Sequence, residues 1–150
     1  MRLLTTEPSV SELRVNGSFR NMKLTRSRCV GAPVRNYTGH VIAALSKWVP
    51  KLDPKDKDYE HHMLEALWLH QNMNVVNEDL LKRTLRSPEP RARAAAVRVH
   101  SYWRDRVNKP LDTLAKLVKD PHPRVRVEVI RALSFFPTSK AAEIALESVE

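Results

Sequence analysis

The chain has 150 residues, 42% of them hydrophobic, and a formal net charge of +9. This length suits one domain with a substantial core. No apolar run reaches the roughly 18 residues that a membrane span needs, and the first residues lack the apolar centre of a secretory signal. The single cysteine, Cys29, excludes an internal disulfide, a CxxC zinc site and a CxxCH haem attachment.

The charge is unevenly distributed along the chain. Residues 1–39 hold seven Arg or Lys and two Glu, a balance of +5, whereas residues 40–150 hold nineteen basic and fifteen acidic residues, a balance of +4. All three glycines lie in the first segment, which shows no sustained helix or strand periodicity apart from a short strand signal at 11–15. We therefore predict a poorly ordered basic arm at 1–39 and a folded domain at 40–150. Because more than half of the excess charge lies in the arm, nucleic-acid binding by the domain is not favoured.

From His40 onward the apolar pattern is helical and is interrupted by prolines, which suit the first turn of a helix and are costly further in. The sequence predicts seven helices, at 40–49, 58–72, 77–86, 90–106, 110–119, 123–136 and 139–149. The links between them are short, which makes successive helices antiparallel neighbours. No segment alternates as a strand, so the predicted fold class is all-α.

A repeat of 33 residues supports this architecture. The segments SPEPRARAAAVRV, from Ser87, and DPHPRVRVEVIRA, from Asp120, superpose with identical Pro and Arg at five positions. Repeats of this length made of paired helices predict an α-solenoid. Each of the two helices carries an apolar stripe that only a stacked neighbour could bury. The stripes consist of Ala92, Ala95, Ala96, Val99 and Trp103, and of Val125, Val129, Ala132, Leu133 and Phe136.

The pattern DPxPRVRxExIRAL, from Asp120, resembles the second helix of a HEAT repeat. The resemblance implies three antiparallel pairs, 40–49 with 58–72, 77–86 with 90–106 and 110–119 with 123–136. The segment 139–149 then opens a fourth pair, so we expect about three and a half repeats of a longer solenoid that is truncated at the C-terminus. In HEAT repeats an aspartate and an arginine at these positions pair along the stack. Ser87 replaces the aspartate in the earlier copy, which leaves the partner of Arg93 open.

The order of DYEHHMLEALWLHQ, NVVNEDLL, SPEPRARAAAVRV, YWRDRV and HPRVRVEVIRALSFF resembles one family more closely. This is the planctomycete and verrucomicrobial family of membrane-bound dehydrogenases, also described as haem-binding CxxCH proteins. The resemblance implies that residues 40–150 are a spacer between a sorbosone-dehydrogenase-like β-propeller and a cytochrome c domain in an exported protein. No CxxCH and no propeller-like run of strands occurs here, so the family's catalytic and haem residues have no counterpart. We expect no catalysis by this chain alone and no cofactor.

Three histidines in DYEHHMLEALWLHQ are candidate metal ligands. At about 100° per residue, His61 and His62 diverge and His70 lies opposite His61, so the three cannot converge on one ion. The repeat register places His62 and His70 where Val125 and Leu133 lie. This register predicts semi-buried histidines that are hydrogen-bonded to their neighbours. A histidine contributed to a haem or metal site is the alternative.

Repeated arginines form two potential ladders on the equivalent helices. One flank carries Arg91, Arg98, Arg124 and Arg131, and the other carries Arg93 and Arg126. Such a ladder can be solvated, neutralised by nearby acids, or used to bind an acidic protein surface or a phosphate backbone. We expect these flanks to be solvated or internally paired in the first place, and a protein or a neighbouring domain is the expected partner if the first flank binds one. The alternative is a basic nucleic-acid-binding surface of the kind found in HEAT-like DNA glycosylases.

Overall fold

The computed structural model describes residues 34–148, in which every regular element is helical. The predicted all-α fold is therefore confirmed for this part of the chain. The helices are α1 (Val34–Trp48), α2 (Tyr59–Asn72), α3 (Glu78–Thr84), α4 (Pro90–Tyr102), α5 (Pro110–Leu117), α6 (Pro123–Leu133) and α7 (Ser139–Leu146), with a 3₁₀ turn at Val49–Lys51. Helix α1 begins six residues before the predicted start at His40. The rest of the predicted arm, residues 1–33, lies outside the described residues, as do Cys29 and the strand signal at 11–15.

The chain divides after Lys51 into two compact units, of which the second contains α2 to α7. Within this second unit α2, α4 and α6 pack side by side, with the most extensive contact between α4 and α6. Helix α3 packs on α2 and α4, while α5 and α7 pack on α6 and on each other. The predicted pairs of α3 with α4 and of α5 with α6 are confirmed. The predicted pairing of 40–49 with 58–72 stays a prediction.

Equivalent residues start α4 and α6 in the same way. Each helix has a proline in its first position, Pro90 or Pro123, where a missing amide hydrogen costs nothing. The preceding residue, Glu89 or His122, is extended, and its side chain accepts the amide N–H two residues further on at 3.2 Å. The repeat therefore conserves the geometry of the helix start although the capping side chain changes.

Helices α4 and α6 end at Tyr102 and Leu133, earlier than the predicted 106 and 136. In α4 the amide N–H of Trp103 is shared between two carbonyl oxygens of the last turn, each 3.1 Å away. In α6 a similar turn is followed by Pro137, which cannot continue a helix. The apolar period extends beyond both helix ends because buried Trp103 and half-buried Phe136 still face the core. Periodicity alone therefore overestimated the helix lengths.

The second helices bury a common set of positions. Four pairs related by the 33-residue shift are buried in both α4 and α6: Ala92 with Val125, Ala96 with Val129, Val99 with Ala132, and His100 with Leu133. The two predicted stripes are thus confirmed except at Ala95 and Phe136, which are half-buried. A shift of 30 residues relates α2 to α4 in the same manner. It superposes buried Leu64, Ala66, Leu67 and His70 on buried Ala94, Ala96, Val97 and His100.

Candidate interaction surface

The least exposed ion pair of residues 38–148 joins α4 to the turn before α6. The guanidinium of Arg93 donates through Nε to Asp120 Oδ2 at 2.8 Å and through Nη2 to Asp120 Oδ1 at 2.9 Å. Its third nitrogen, Nη1, donates to the Ser87 carbonyl at 2.8 Å. Burial opposes ionisation of Asp120, but the hydrogen bonds from Arg93 and from the His122 amide outweigh it, so the pKa of Asp120 lies below its usual value. Arg93 therefore fixes the second repeat against the third.

This geometry identifies the partner of Arg93, which the sequence left open. Its aspartate is Asp120, one repeat further along the chain, while Ser87 keeps the local role of the turn and also forms a side-chain hydrogen bond with Glu60 of α2. Ser87 Oγ accepts the Glu89 amide at 3.1 Å, as Asp120 Oδ1 accepts the His122 amide at 2.9 Å. The 30-residue shift places Met63 of α2 at the position of Arg93. Because Met63 carries no charge, the equivalent contact between α2 and the turn before α4 needs no carboxylate at position 87.

A second contact between α4 and α6 is centred on Glu128, which is largely buried. Arg98 Nη2 donates to Glu128 Oε1, and Arg131 Nη1 lies 3.6 Å from Glu128 Oε2. The hydrogen bond from Arg98 is the main reason why the pKa of Glu128 lies below its usual value in spite of burial. The corresponding residues one repeat earlier, Trp68 and Ala95, are uncharged. A charged residue on one second helix therefore faces a charged residue on the next, as in α4 and α6, and an uncharged residue corresponds to an uncharged one, as in α2 and α4.

The four arginines of the predicted ladder fall into two groups. Arg98 and Arg131 converge on Glu128, so they are partly neutralised inside the stack. Arg91 and Arg124 are exposed, and neither forms an ion pair with any side chain of residues 38–148. The surface thus offers two guanidiniums without a salt bridge, of which Arg124 still acts through its charge on Glu128, and not a continuous row of four.

The structure separates the three histidines of α2. His61 Nε2 lies 3.2 Å from Glu65 Oε1 on the exposed side, and the rings of His61 and His62 have centroids 6.4 Å apart at a 46° tilt. His70 is buried: its Nδ1 donates to the Ala66 carbonyl at 2.9 Å, and its Nε2 accepts from Asn77 Nδ2 at 3.2 Å. Burial and local hydrogen bonding are confirmed for His70, while His62 is half-buried.

His70 has a structural role that sequence analysis missed. The side chain of Asn77 caps α3, because its Oδ1 accepts the Leu80 amide at 3.0 Å. By accepting from the other end of that amide group, His70 fixes the orientation in which Asn77 can cap. The sequence signal was present, since Asn77 stands directly before Glu78 and Asp79 as a helix N-cap commonly does.

His100 occupies the corresponding position in α4 and is also buried, but neither of its ring nitrogens has a hydrogen-bond partner. It lines a small cavity with Leu81, Leu85, Asn108 and Thr113. Burial lowers the pKa of His100 from 6.5 to about 4, so the ring is neutral at physiological pH. This histidine replaces an apolar core residue and is too enclosed to bind a partner.

Residues 34–148 contain no group of three or more His, Cys, Asp or Glu side chains that could hold a metal ion. Within the same range, no helix combines the length and the hydropathy that crossing a bilayer requires. The polar groups that the fold brings together include the arginine–carboxylate contacts between α4 and α6 and the Arg83–Glu60 contact between α3 and α2. These contacts join neighbouring helices of the second unit.

Residues 77–150 match the family model for HEAT repeats. The matched segment contains α3 to α7, the part in which the structure shows the stacked helix pairs and the Arg93–Asp120 contact. No curated protein and no solved structure gives a significant match to the chain. The HEAT-repeat character inferred from DPxPRVRxExIRAL is thereby confirmed for this segment, which has the fold of an α-solenoid.

Proposed function

We propose that the chain is a non-catalytic scaffold that binds other protein surfaces through its stacked helices. The observation that carries this proposal is the stacking of α4 on α6, which the Arg93–Asp120 contact holds in place. Both helices lie in the segment that matches the family model for HEAT repeats. Solenoids of this kind present extended faces built from equivalent positions of successive repeats, and they bind proteins along those faces. The polar side chains of this stack are used to hold repeats together, as expected for a structural module.

A basic nucleic-acid-binding module is the second candidate, and it is favoured by exposed Arg91 and Arg124, neither of which forms a salt bridge within residues 38–148. Gel shifts of the full chain with duplex DNA at several salt concentrations separate the two functions. A scaffold gives only weak binding that disappears at physiological salt. The double variant Arg91→Gln, Arg124→Gln should then bind like the unchanged protein.

Tight binding would support the DNA-binding function instead, provided that the double variant lowers the slope of log affinity against log salt by roughly 2, the value for two lost phosphate contacts. The matched control is the double variant Arg86→Gln, Lys116→Gln, which removes the same charge from exposed positions outside the predicted ladder. An equal loss of affinity in the control would assign the binding to net charge and not to this surface.

As the biological setting of this scaffold we propose the spacer segment of a dehydrogenase–cytochrome c protein that is exported as a whole. The support is the order of the motifs from DYEHHMLEALWLHQ to HPRVRVEVIRALSFF within residues 40–150. The genomic sequence that flanks this reading frame tests the proposal. A propeller-coding segment upstream and a CxxCH downstream are expected, and flanking genes that encode neither would contradict it.

A further inference from the structure

The cavity beside His100 lies inside the second unit, where α3, α4 and α5 meet. Its apolar wall comes from α3, and its polar groups come from α4, from α5 and from the link between these two helices. The lining includes Leu81, Leu85, His100, Val107, Asn108 and Thr113. The centre of a water molecule can occupy about 10 Å³ of this space, which is close to the minimum that one water molecule needs. The cavity therefore suits a ligand no larger than water.

His100 is the group in this cavity that requires a ligand. Its side chain is buried, and neither ring nitrogen forms a hydrogen bond with any group of residues 38–148. A neutral imidazole carries one N–H donor and one acceptor nitrogen, and burying such atoms without a hydrogen bond costs free energy. Buried polar atoms are therefore satisfied, with few exceptions, by protein groups or by ordered water. Because bulk solvent does not reach the ring, the ligand of His100 has to lie inside the cavity.

The equivalent histidine of α2 shows which protein group this site has lost. His70 Nε2 accepts from the side chain of Asn77, which lies seven positions further along the chain. Seven positions after His100 the chain carries Val107, which has no polar side-chain atom and lines the cavity. The link from α4 to α5 also has seven residues, against five between α2 and α3. The cavity thus lies beside the residue that replaces the amide partner.

Hydrogen bonds hold the longer link in place, so it does not close the space. Glu78 Oε1 accepts the Asn108 backbone amide at 3.2 Å and Asn108 Nδ2 at 2.9 Å. The backbone amide of Val107 donates to the Trp103 carbonyl at 3.0 Å. Because Asn108 Nδ2 binds Glu78, its Oδ1 is the side-chain atom that can accept from a ligand in the cavity. The hydroxyl of Thr113 is a second polar group of the lining.

We propose that the cavity binds one water molecule, which accepts the Nε2–H of His100 and donates to Asn108 Oδ1 and to the hydroxyl of Thr113. A buried water typically makes about three hydrogen bonds, the number that this arrangement provides. The water takes the place that the Asn77 amide has beside His70 and links α4 to α5. It reverses the roles of the ring nitrogens, since Nδ1 is the donor in His70. One water serves one nitrogen, and buried N–H groups are left unpaired less often than acceptors.

NMR spectra of the full, unchanged chain test the proposal, with His70 as the internal control. The ring protons of His100 should show rotating-frame Overhauser cross-peaks to water. Those of His70, which is also buried but has protein groups on both nitrogens, should show none. The ¹⁵N shifts of the rings should identify His100 as the Nε2–H tautomer and His70 as the Nδ1–H tautomer. A His100 ring without a water cross-peak, or in the Nδ1–H form, would overturn the proposal.

A variant gives a second, independent measurement. His100→Leu removes the donor, and the buried counterpart Leu133 in α6 indicates that the position accepts a leucine. Circular dichroism checks that the variant folds. The magnetic relaxation dispersion of solvent ²H should fall by the contribution of one long-lived water molecule in His100→Leu. The control His61→Leu, the same change at an exposed histidine, should leave it unchanged. A dispersion that His100→Leu does not lower, or that the control lowers equally, would overturn the proposal.

Discussion

The contact between Arg93 and Asp120 should be the most strongly coupled pair of side chains in the second unit. Both partners are largely buried, with side chains 13% and 6% exposed, and they share two hydrogen bonds of 2.8 and 2.9 Å. The chain itself supplies the appropriate replacements, since Met63 and Ser87 occupy the same two positions one repeat earlier. Arg93→Met and Asp120→Ser therefore convert the charged contact into the uncharged one without deleting the turn.

The magnitudes follow from what each single variant leaves behind. Arg93→Met leaves a buried carboxylate without its cation and should cost about 3 kcal/mol of unfolding free energy. Asp120→Ser leaves a guanidinium that still binds the Ser87 carbonyl and should cost about 2 kcal/mol. The double variant removes both charges together and should cost about 3 kcal/mol, which gives a coupling energy of about 2 kcal/mol.

Urea unfolding followed by far-UV circular dichroism measures all four proteins of this cycle. The control cycle uses Lys82 and Glu78, an exposed pair 2.8 Å apart on one helix, which should show a much smaller coupling because solvent screens it. Additive effects of Arg93→Met and Asp120→Ser would refute the argument that this contact joins the repeats. A coupling no larger than that of the control pair would refute it equally.

Three further predictions concern single positions. Ala96→Asp places a carboxylate in a fully buried site and should cost at least about 3 kcal/mol in urea unfolding, well above the cost of Ala95→Asp at a half-buried site; equal effects would contradict the assigned helix face. His100 has a folded pKa of about 4 against 6.5 when unfolded, so the unfolded state takes up its proton first as pH falls, and stability should drop by up to about 3 kcal/mol between pH 6.5 and pH 4. His100→Leu should make the melting temperature less dependent on pH between pH 6.5 and pH 4, and a variant whose melting temperature falls as steeply as that of the unchanged protein would contradict the prediction. Lys109 precedes α5 with a left-handed φ of 47°, so Lys109→Gly should raise the urea midpoint by the equivalent of about 0.5–1 kcal/mol, and a lower midpoint would contradict the strain.

The helices and their pairing could be predicted from the sequence because their signals are local. Pro90, Pro110 and Pro123 each mark the first residue of a helix, and the 33-residue shift identifies α4 and α6 as equivalent. The helix ends were less accessible, since Trp103 continues the apolar period after the backbone has left the helix. The start of α1 at Val34 was not predicted, although Pro33 stands directly before it in the sequence.

The contacts between repeats could not be predicted from local signals. Arg93 reaches a residue 27 positions away, and only stacking decides that its partner is Asp120 and not a group within its own turn. Glu128 forms ion pairs with Arg98 of α4 and with Arg131 of its own helix, α6. These two arginines are thereby separated from Arg91 and Arg124, although the four looked like one continuous ladder in the sequence. Ala94 and Val97 lie outside the predicted stripe of α4, and both are buried because a neighbouring helix covers the face that they share.

The central claim is that α4 and α6 form one stack, which Arg93 and Asp120 hold together and on which the proposed scaffold function depends. Hydrogen–deuterium exchange of the unchanged protein and of Arg93→Met tests it directly, because it locates protection along the sequence. The account predicts that amides of α4 and α6 lose protection together in Arg93→Met, while the control variant Lys82→Met leaves both helices as protected as in the unchanged protein. Exchange in α4 and α6 that Arg93→Met leaves unchanged, or a loss of protection confined to α4, would contradict it.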